Sequence, residues 1–414
     1  MLRRLLSAIV KKGTLTVLRP GGSRDVFGAG SPEVTMKLHD NKALWELALN
    51  PDLKLGELYM EGRLTVEDGD ITDLLDLLLA NLEEIPPSGL YEFGRALRRM
   101  FRLISQYNPA TRSKSNVAHH YDLSGGLYDL FLDKDRQYSC AYFSNADEPL
   151  DEAQIAKKRH IAAKLHLDKP GLKVLDIGSG WGGLALDLAR DCRADVLGIT
   201  LSEEQIAIAN QRSAEAGLSE SCRFAIQDYR SLTDQFDRIV SVGMFEHVGV
   251  PHYQAFFDKF GSLLKPDGVG VLHTIGRVDG PGASNPWITK YIFPGGYTPS
   301  LSEMLPPIEK SGLIVTDVEV LRLHYAYTLK AWHERFRARW DEAAKLYDER
   351  FCRMWDFYLA AMEASFRRQG LVVFQLQLAK RIDSLPVTRD YMLEAERTMK
   401  FAGTQEMPRP KRVA

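Results

Sequence analysis

The chain has 414 residues, of which 45% are hydrophobic and 26% charged, and its four cysteines include no CxxC pair. Composition and length predict a soluble globular protein of two or three domains. A formal net charge of -2 gives no overall attraction to nucleic acid, so no nucleic-acid partner is expected. The scattered cysteines predict neither a disulfide framework nor a zinc site, which fits a reducing cytoplasm.

The chain begins MLRRLLSAIVKKG, a basic start followed by a short apolar run. Lys11 and Lys12 interrupt the run and no small-residue cleavage site follows, so a signal peptide is not favoured. We predict a short amphipathic helix and favour packing on the protein over contact with a membrane surface. No segment approaches the roughly 20 apolar residues of a membrane span.

Residues 14–28, TLTVLRPGGSRDVFG, predict a strand, a Pro-Gly-Gly turn and a second strand. Further short strands and a helix follow to about Leu82. We therefore assign residues 1–85 to a small N-terminal α+β domain.

Residues 86–114 form a predicted basic helical linker. The part from 91 to 114 carries six basic residues against one acid, with apolar residues at helical spacing. Such a stretch favours contact with anionic lipid or nucleic acid. A solvated helix between domains is an equally good interpretation.

From residue 171 the chain alternates apolar runs with helical stretches, which predicts an α/β fold with a doubly wound parallel sheet. We place this domain at residues 115–395 and a C-terminal tail at 396–414. Residues 329–380 are predicted to be largely helical. Their aromatic residues recur at roughly helical intervals and are expected to pack in the core.

The stretch VLDIGSGWGG, 174–183, ends a predicted strand and opens a helix, and its glycines satisfy GxGxxG. That match alone allows NAD, FAD or S-adenosylmethionine. Asp176 would repel a pyrophosphate beside the loop. The next strand also ends without the acid that a dinucleotide fold uses on its ribose. Both features favour S-adenosylmethionine, a sulfonium without phosphate.

Two further segments extend the predicted cofactor site. Ser202 and Gln205 form an S-x-x-Q capping box for the next helix, and Gln205 is a candidate for the ribose or the amino-acid part of the ligand. Asp228 follows the third apolar strand and is expected to accept from the adenine amino group. A surface turn is the alternative for Asp228.

Seven motifs in order resemble the cyclopropane-fatty-acyl-phospholipid synthase family, which includes the mycolic acid methyltransferases. They are HHYDLSGGLYDLFLD (119–133), YSCAYF (138–143), VLDIGSGWGG (174–183), GMFEHVG (243–249), LHTIG (272–276), YIFPGGYTPS (291–300) and TLKAWHERF (328–336). The resemblance covers about residues 115–395 and implies a Rossmann-like methyltransferase sheet with inserted helices. It also implies that the N-terminal 110 residues are the extra domain of the bacterial phospholipid-acting branch, and we assign lipid binding to its α+β part, residues 1–85.

The resemblance implies methyl transfer from S-adenosylmethionine to a cis double bond of a phospholipid acyl chain. Loss of a proton then closes a cyclopropane ring, and bicarbonate is the implied second cofactor. The implied bicarbonate-site residues are Cys140, Glu246, His273, Ile275 and Tyr325. The candidate cofactor residues are Tyr138, Ser139, Asp176, Gly178, Gly180, Thr200, Leu201, Ser202, Gln205, Gln227 and Asp228.

The chemistry suits these residue types. An alkene has no proton to lose before it attacks, so the site must align the reactants in a dry pocket. An anion that later takes the proton needs converging donors, which Cys140, His273 and Tyr325 can supply. Glu246 would repel an anion unless it accepts the bicarbonate hydroxyl proton or orients His273.

Cys140 alone would be interpreted as a buried small side chain. Its flanking motif favours a place in the anion pocket, contributing its backbone amide and small size without acting as a nucleophile. Glu246 and His247 are adjacent, with no HxxxH pattern, so no metal site is assigned. His247 is expected to pack or to support other site residues.

Two other functions remain open. The same first step can end in a methyl or methylene branch, and an inactive lipid-binding relative is the third possibility, against which the intact residue set argues. The expected partner is a phospholipid bilayer with unsaturated acyl chains, and the resemblance implies a homodimer. The expected location is the cytoplasm, peripherally on the inner face of the cell membrane. Acyl chain length, double-bond position and head group are not predicted.

Overall fold

The computed structural model describes residues 1–82, 125–399 and 401. The predicted basic linker at 86–114, the first part of the 119–133 motif and most of the predicted tail lie outside these residues. Within the described part of the chain, no helix combines the length and the apolar character needed to cross a bilayer.

The N-terminal region builds one four-stranded sheet in the order β2-β1-β3-β4. The predicted hairpin is confirmed: β1 and β2 are antiparallel, and Gly21 and Gly22 in the turn have φ of 90° and 86°. Glycine reaches this left-handed region without the clash of a Cβ. The elements are α1 (Leu2–Ile9), β1 (Gly13–Leu18), β2 (Arg24–Ala29), β3 (Glu33–Leu38), α2 (Asn41–Leu49), α3 (Pro51–Met60), β4 (Leu64–Asp68) and α4 (Ile71–Leu82).

Helix α1 packs on its own domain, as the sequence favoured. Leu2, Leu6 and Val10 recur every four residues and are all buried. The apolar side of the helix is therefore already covered by protein. The exposed basic residues in and just after this helix are Arg3, Arg4, Lys11 and Lys12.

The larger region builds a seven-stranded sheet in the order β10-β11-β9-β8-β5-β6-β7. The strands from β9 to β7 run parallel, which confirms the predicted doubly wound sheet. Its elements are α5 (Gly125–Phe131), α6 (Leu150–Lys164), β5 (Lys173–Ile177), α7 (Gly183–Asp191), β6 (Asp195–Thr200), α8 (Glu203–Glu215), β7 (Cys222–Ile226), β8 (Phe236–Val242), α9 (Tyr253–Leu263), β9 (Leu264–Arg277), α10 (Pro286–Tyr291), α11 (Leu301–Lys310), β10 (Ile314–Leu321), α12 (His324–Ala338), α13 (Trp340–Leu346), α14 (Glu349–Arg368), β11 (Leu371–Ala379) and α15 (Asp390–Thr398).

Both faces of this sheet are covered. Helices α9 and α11 pack on one face against β8 and β9, and helices α6, α7 and α8 pack on the other. Because apolar side chains cover each face, the central strands read as continuous apolar runs in the sequence.

The prediction of a largely helical segment at 329–380 is wrong at its end. Residues 371–379 form β11, which lies antiparallel between β9 and β10. Its polar residues Gln375 and Gln377 are fully buried, so the usual alternation of buried and exposed residues is missing.

The predicted packing role of the aromatic residues is confirmed, since Trp332, Phe336 and Trp355 are buried. Their helices also carry the N-terminal region, because α3 and α4 pack against α14. The Tyr59 hydroxyl donates to Asp356 Oδ2 at 2.7 Å. One continuous apolar core thus joins both sheets through α14.

Candidate active site

The glycine turn after β5 opens a cleft at the carboxyl ends of the parallel strands. Gly178 and Gly180 have φ of 83° and 55°, which favours glycine. A Cβ at Gly178 would lie 2.9 Å from Met244 Cβ, and one at Gly183 would lie 2.3 Å from Asp135 Oδ2. The glycines therefore admit close neighbours on both sides of the turn, in the place where doubly wound sheets bind ligands.

Most of the predicted cofactor residues line this one cleft. Ser202 is the exception, since it lies behind the cleft at the start of α8. The predicted residues that line it are Tyr138, Ser139, Asp176, Gly178, Gly180, Thr200, Leu201, Gln205, Gln227 and Asp228. Their individual roles remain predictions.

The carboxyl of Asp176 is buried, and burial raises its pKa to about 7 against the opposing charge of Lys157. Near neutral pH this group is therefore only partly charged. The expected repulsion of a pyrophosphate is weakened accordingly. The missing acid at the end of β6 is the firmer argument against a dinucleotide.

The predicted capping box at α8 is only half formed. Ser202 Oγ accepts from the Gln205 N–H at 3.3 Å, as expected for an N-cap. The Gln205 side-chain oxygen accepts from Thr200 Oγ1 at 2.8 Å, and the Ser202 N–H donates to Thr200 Oγ1 at 3.3 Å. The bond from the Ser202 N–H to the Gln205 side chain is therefore missing, because both groups bond Thr200 Oγ1 instead. The Gln205 amide NH2 is left beside the cleft.

Asp228 caps the short 3-10 helix Tyr229–Ser231 through the Arg230 N–H. Its oxygens also accept from the Arg230 guanidinium at 2.8 and 2.5 Å. Burial raises the pKa of Asp228, but the bonds and charge of Arg230 outweigh it and lower the pKa overall. Asp228 is thus held ionised at the cleft, the state that accepts a hydrogen bond from an amino group.

Aromatic rings surround Tyr138 beside the cleft. Its ring lies 5.1 Å from that of Trp332, stacked, and 5.4 Å from that of Tyr128, edge-on. Trp181 contacts Tyr128 with ring centroids 4.9 Å apart. The Tyr138 and Tyr358 hydroxyls are 2.9 Å apart. Such rings attract a cation by about 0.5–2 kcal/mol.

Three of the predicted anion-site residues lie at the end of β9. Glu246, in the 3-10 helix Phe245–His247, accepts from the Ile275 N–H through Oε1 at 2.6 Å. Its Oε2 is buried without a partner among the described residues. Burial raises the pKa of Glu246 to about 7. Ile275 and His273 are two residues apart on β9, so they share one face of the strand.

Glu246 does not orient His273 in this structure. Gln375 on β11 contacts the imidazole instead, with its Nε2 3.1 Å from His273 Nδ1. The amide NH2 donates to Nδ1, which leaves the ring proton on Nε2. Burial holds the pKa of His273 well below its usual range, so the imidazole is neutral.

Cys140 is buried, and burial raises the pKa of its thiol. A thiol that keeps its proton is a poor nucleophile, which agrees with the predicted non-covalent role. Its Sγ is 3.3 Å from the Ala141 carbonyl oxygen. Thr328 Oγ1 accepts from the Ala141 N–H at 3.0 Å, and so holds this segment against α12. Tyr325 lies three residues earlier on the same helix, buried against Phe366.

Sequence reasoning missed several site residues. Lys157 and Gln137 line the cleft and contact each other at 2.6 Å, and Gln375 supports His273. No local signal in the sequence indicated Lys157, because it is followed directly by Lys158, Arg159 and His160 in AQIAKKRHIAAK. His247 also lines the cleft, and burial lowers its pKa to about 4. The described residues contain no cluster of three or more metal-binding side chains.

Two family models match the chain. The model described as mycolic acid cyclopropane synthetase covers residues 108–376, and a domain of unknown function covers residues 1–85. A cyclopropane-fatty-acyl-phospholipid synthase of Escherichia coli (strain K12) is 41% identical over 80% of this chain and 84% of its own length. A tuberculostearic acid methyltransferase of Mycobacterium tuberculosis is 36% identical over 78% of each chain.

Solved structures agree with these matches. A cyclopropane synthase from Mycobacterium tuberculosis is 34% identical with a TM-score of 0.62, and it covers 66% of this chain and 99% of its own. A mycolic acid cyclopropane synthase, solved with SAH and CTAB, is 35% identical with a TM-score of 0.61 over 66% and 99% of the two chains. The chain therefore belongs to the cyclopropane synthase family of S-adenosylmethionine-dependent methyltransferases.

Proposed function

We propose that this protein transfers the methyl of S-adenosylmethionine to a cis double bond of phospholipid-bound acyl chains and closes a cyclopropane ring with the help of bound bicarbonate. The family and the named Escherichia coli relative support the reaction. The observation that carries the anion site is the buried Oε2 of Glu246, unpartnered among the described residues and close to the end of β9.

The cleft residues fit the cofactor. S-adenosylmethionine supplies an electrophilic methyl on a sulfonium, and the aromatic rings around Tyr138 favour a positive charge. Asp228 offers an ionised acceptor for an amino group, and Gln205 offers its amide NH2. Neither a buried thiol nor a neutral imidazole is needed as a base before methyl transfer, because the alkene has no proton to give up.

The residues at the end of β9 fit an anion that carries a proton. Glu246 can accept a hydrogen bond from the hydroxyl of bicarbonate, which offsets the repulsion between the two anions. His273 in its Nε2–H tautomer can donate to an oxyanion. Bicarbonate is a weak base suited to take a proton from the methylated acyl chain, and these two side chains would hold and orient it.

The activity test uses purified protein with S-adenosylmethionine, bicarbonate and vesicles of unsaturated phospholipid. Product fatty acids are examined by mass spectrometry and by proton NMR, because a methylene branch has the same mass as a ring. High-field ring protons are expected. A branched product would show that the reaction ends in a methyl or methylene branch instead of a ring. The absence of any product would refute methyl transfer to this lipid.

Glu246→Gln tests the anion site separately. We expect turnover to fall strongly, because with its oxygen on the Ile275 N–H the glutamine turns its NH2 to the anion and cannot accept from the bicarbonate hydroxyl. The affinity for S-adenosylhomocysteine should hardly change, since Glu246 lies at β9 and does not line the cofactor cleft. Loss of cofactor binding would mean that Glu246 belongs to the cofactor site.

Membrane docking is the remaining part of the proposal. The apolar side of α1 is buried, so docking falls to basic residues, above all those of the 91–114 segment. We expect binding to vesicles to need anionic lipid and to weaken with salt. Reversing the charges of Arg98, Arg99 and Arg102 should weaken it. Binding that ignores both salt and charge reversal would refute electrostatic docking.

A further inference from the structure

A buried lysine at the cleft has no role in the proposed reaction. Lys157 lies in α6 with 1% of its surface exposed, and it lines the cleft beside Tyr138 and Asp176. Its Nζ donates to Gln137 Oε1 at 2.6 Å and to Ser139 Oγ at 2.9 Å. The ammonium thus lies against the segment that carries the predicted cofactor contacts.

The charge of Lys157 is not balanced by a close carboxylate. Its neighbour Lys158 contacts Asp135 at 2.6 Å and Asp187 at 2.5 Å. For Lys157 the structure gives only the two neutral acceptors, and no carboxylate of the described residues lies within ion-pair distance of Nζ. A buried charge is costly unless an opposite charge compensates it.

Charged groups farther away shift the pKa of Lys157, some upward and some downward. Burial lowers its pKa to about 8, against the charges of Asp133 and Asp135, while Lys158 lowers it further. The other titratable groups facing it are Asp176, Cys140 and His273. Lys157 therefore stays largely charged at neutral pH and loses its charge within one or two pH units above.

An ammonium group has three N–H donors, and the two neutral acceptors occupy two. We propose that the third N–H of Lys157 binds the methionyl carboxylate of S-adenosylmethionine. That carboxylate is the anionic group of the donor, and the sulfonium at the other end of the same chain would be repelled by the lysine toward the aromatic rings. The proposal rests on the proposed function only in its choice of methyl donor.

Bicarbonate is the other planar oxyanion that an ammonium could hold. Lys157 lines the cofactor cleft together with Ser139, whereas Glu246, His273 and Ile275 do not line it. The position of Lys157 thus favours the carboxylate of the cofactor. The two sources predict different results in binding experiments.

The test measures binding by calorimetry for wild type and Lys157→Met. The probes are S-adenosylhomocysteine, which has the carboxylate, and 5′-methylthioadenosine, which lacks the whole amino-acid end. Loss of a charge-assisted hydrogen bond should weaken S-adenosylhomocysteine roughly 10- to 100-fold and leave methylthioadenosine unchanged. Lys169→Met, at an exposed position, is the matched control and should change neither affinity.

Other outcomes overturn the proposal. Equal weakening of both probes would mean that Lys157 only supports the cleft. Unchanged affinities together with a raised requirement for bicarbonate in turnover would assign the lysine to that anion. Because binding is measured without turnover, a protein that makes no cyclopropane can still pass this test, and the two failures stay distinct.

A second measurement needs no variant. In wild type, the affinity for S-adenosylhomocysteine should fall as pH rises from 7 to 9, because Lys157 loses its proton near pH 8. The carboxylate stabilises the ammonium, so binding near pH 8.5 should take up protons. Methylthioadenosine should show neither effect, and nor should decarboxylated S-adenosylhomocysteine, which keeps the titrating amino group and lacks only the carboxylate. Parallel pH dependence of the two probes would overturn the proposal even if Lys157→Met fails to fold.

Discussion

Replacing Glu246 by glutamine is expected to stabilise the folded protein at alkaline pH while it removes activity. Burial raises the pKa of this carboxyl from 4.5 to about 7, although the Ile275 N–H opposes the change. The folded state therefore binds the proton more tightly than the unfolded chain does. Below pH 4.5 this carboxyl is protonated in both states and does not destabilise the fold. As pH rises from 4.5 through about 7, the free energy of unfolding falls by the cost of ionising the buried group.

The size of the effect follows from these two pKa values. One pH unit corresponds to about 1.4 kcal/mol, so the ionised carboxyl costs roughly 3 kcal/mol above pH 7. Glutamine stays neutral, and its carbonyl oxygen can still accept from the Ile275 N–H. The advantage of the variant should grow from about 1 kcal/mol at pH 5 to roughly 3 kcal/mol at pH 8.5.

Thermal unfolding of both proteins across this pH range measures the effect. The midpoint of Glu246→Gln should exceed that of wild type by about 5 °C at pH 8.5 and by much less at pH 5. Glu309→Gln, an exposed position on α11, serves as the control and should follow wild type at every pH. A gap between Glu246→Gln and wild type that does not widen with pH would refute the reasoning.

Three further predictions concern packing and buried charge, each measured by thermal unfolding. Asp356→Ala should cost about 3–5 kcal/mol, because the buried His333 loses its partner and both Tyr59 and Arg337 lose a hydrogen bond, and Asp356→Asn should cost less; equal costs would contradict this. Gly56→Ala should destabilise by about 1–3 kcal/mol despite the better helix propensity of alanine, because a Cβ would lie 2.5 Å from Trp287 Nε1; a stabilised variant would contradict this. Burial lowers the pKa of His160, but Glu319 and Glu396 outweigh it and raise the pKa overall, so His160→Gln should cost more at pH 5.5 than at pH 8.5; a constant cost would contradict this.

Local patterns predicted much of the fold. The central strands were identifiable because both faces of the sheet are covered, so each strand is a continuous apolar run beside a glycine turn or a helix start. The N-terminal hairpin was identifiable from Pro-Gly-Gly. These features depend on residues that are neighbours in the chain.

The errors came from contacts between distant residues. In β11, Gln375 and Gln377 look like solvent-facing positions, yet they are buried, and their amide NH2 groups meet His273 Nδ1 and the Lys164 carbonyl. Neither partner can be inferred from the segment itself. For the same reason the sequence could not reveal that Gln375, and not Glu246, supports His273.

The site residues were predicted in part from local motifs and missed where distant contacts decide. Motif resemblance selected a set that largely shares one cleft, although the pattern gave no sign that Thr200 replaces a capping bond. Lys157 was missed because a lysine in a helix is ordinarily a solvated residue. Its burial depends on how α6 lies against the segment after α5, which local spacing does not encode.

The continuous apolar core that runs through α14 has a consequence for how this protein can be divided. Deleting residues 1–85 would uncover apolar side chains such as Trp287 and Phe357 and remove the Tyr59 hydroxyl that donates to Asp356, so the remainder is expected to aggregate on expression. The two sheets should melt in a single transition. The sequence predicts a domain boundary near residue 85, but one apolar core includes residues of both regions, so we do not expect them to fold independently.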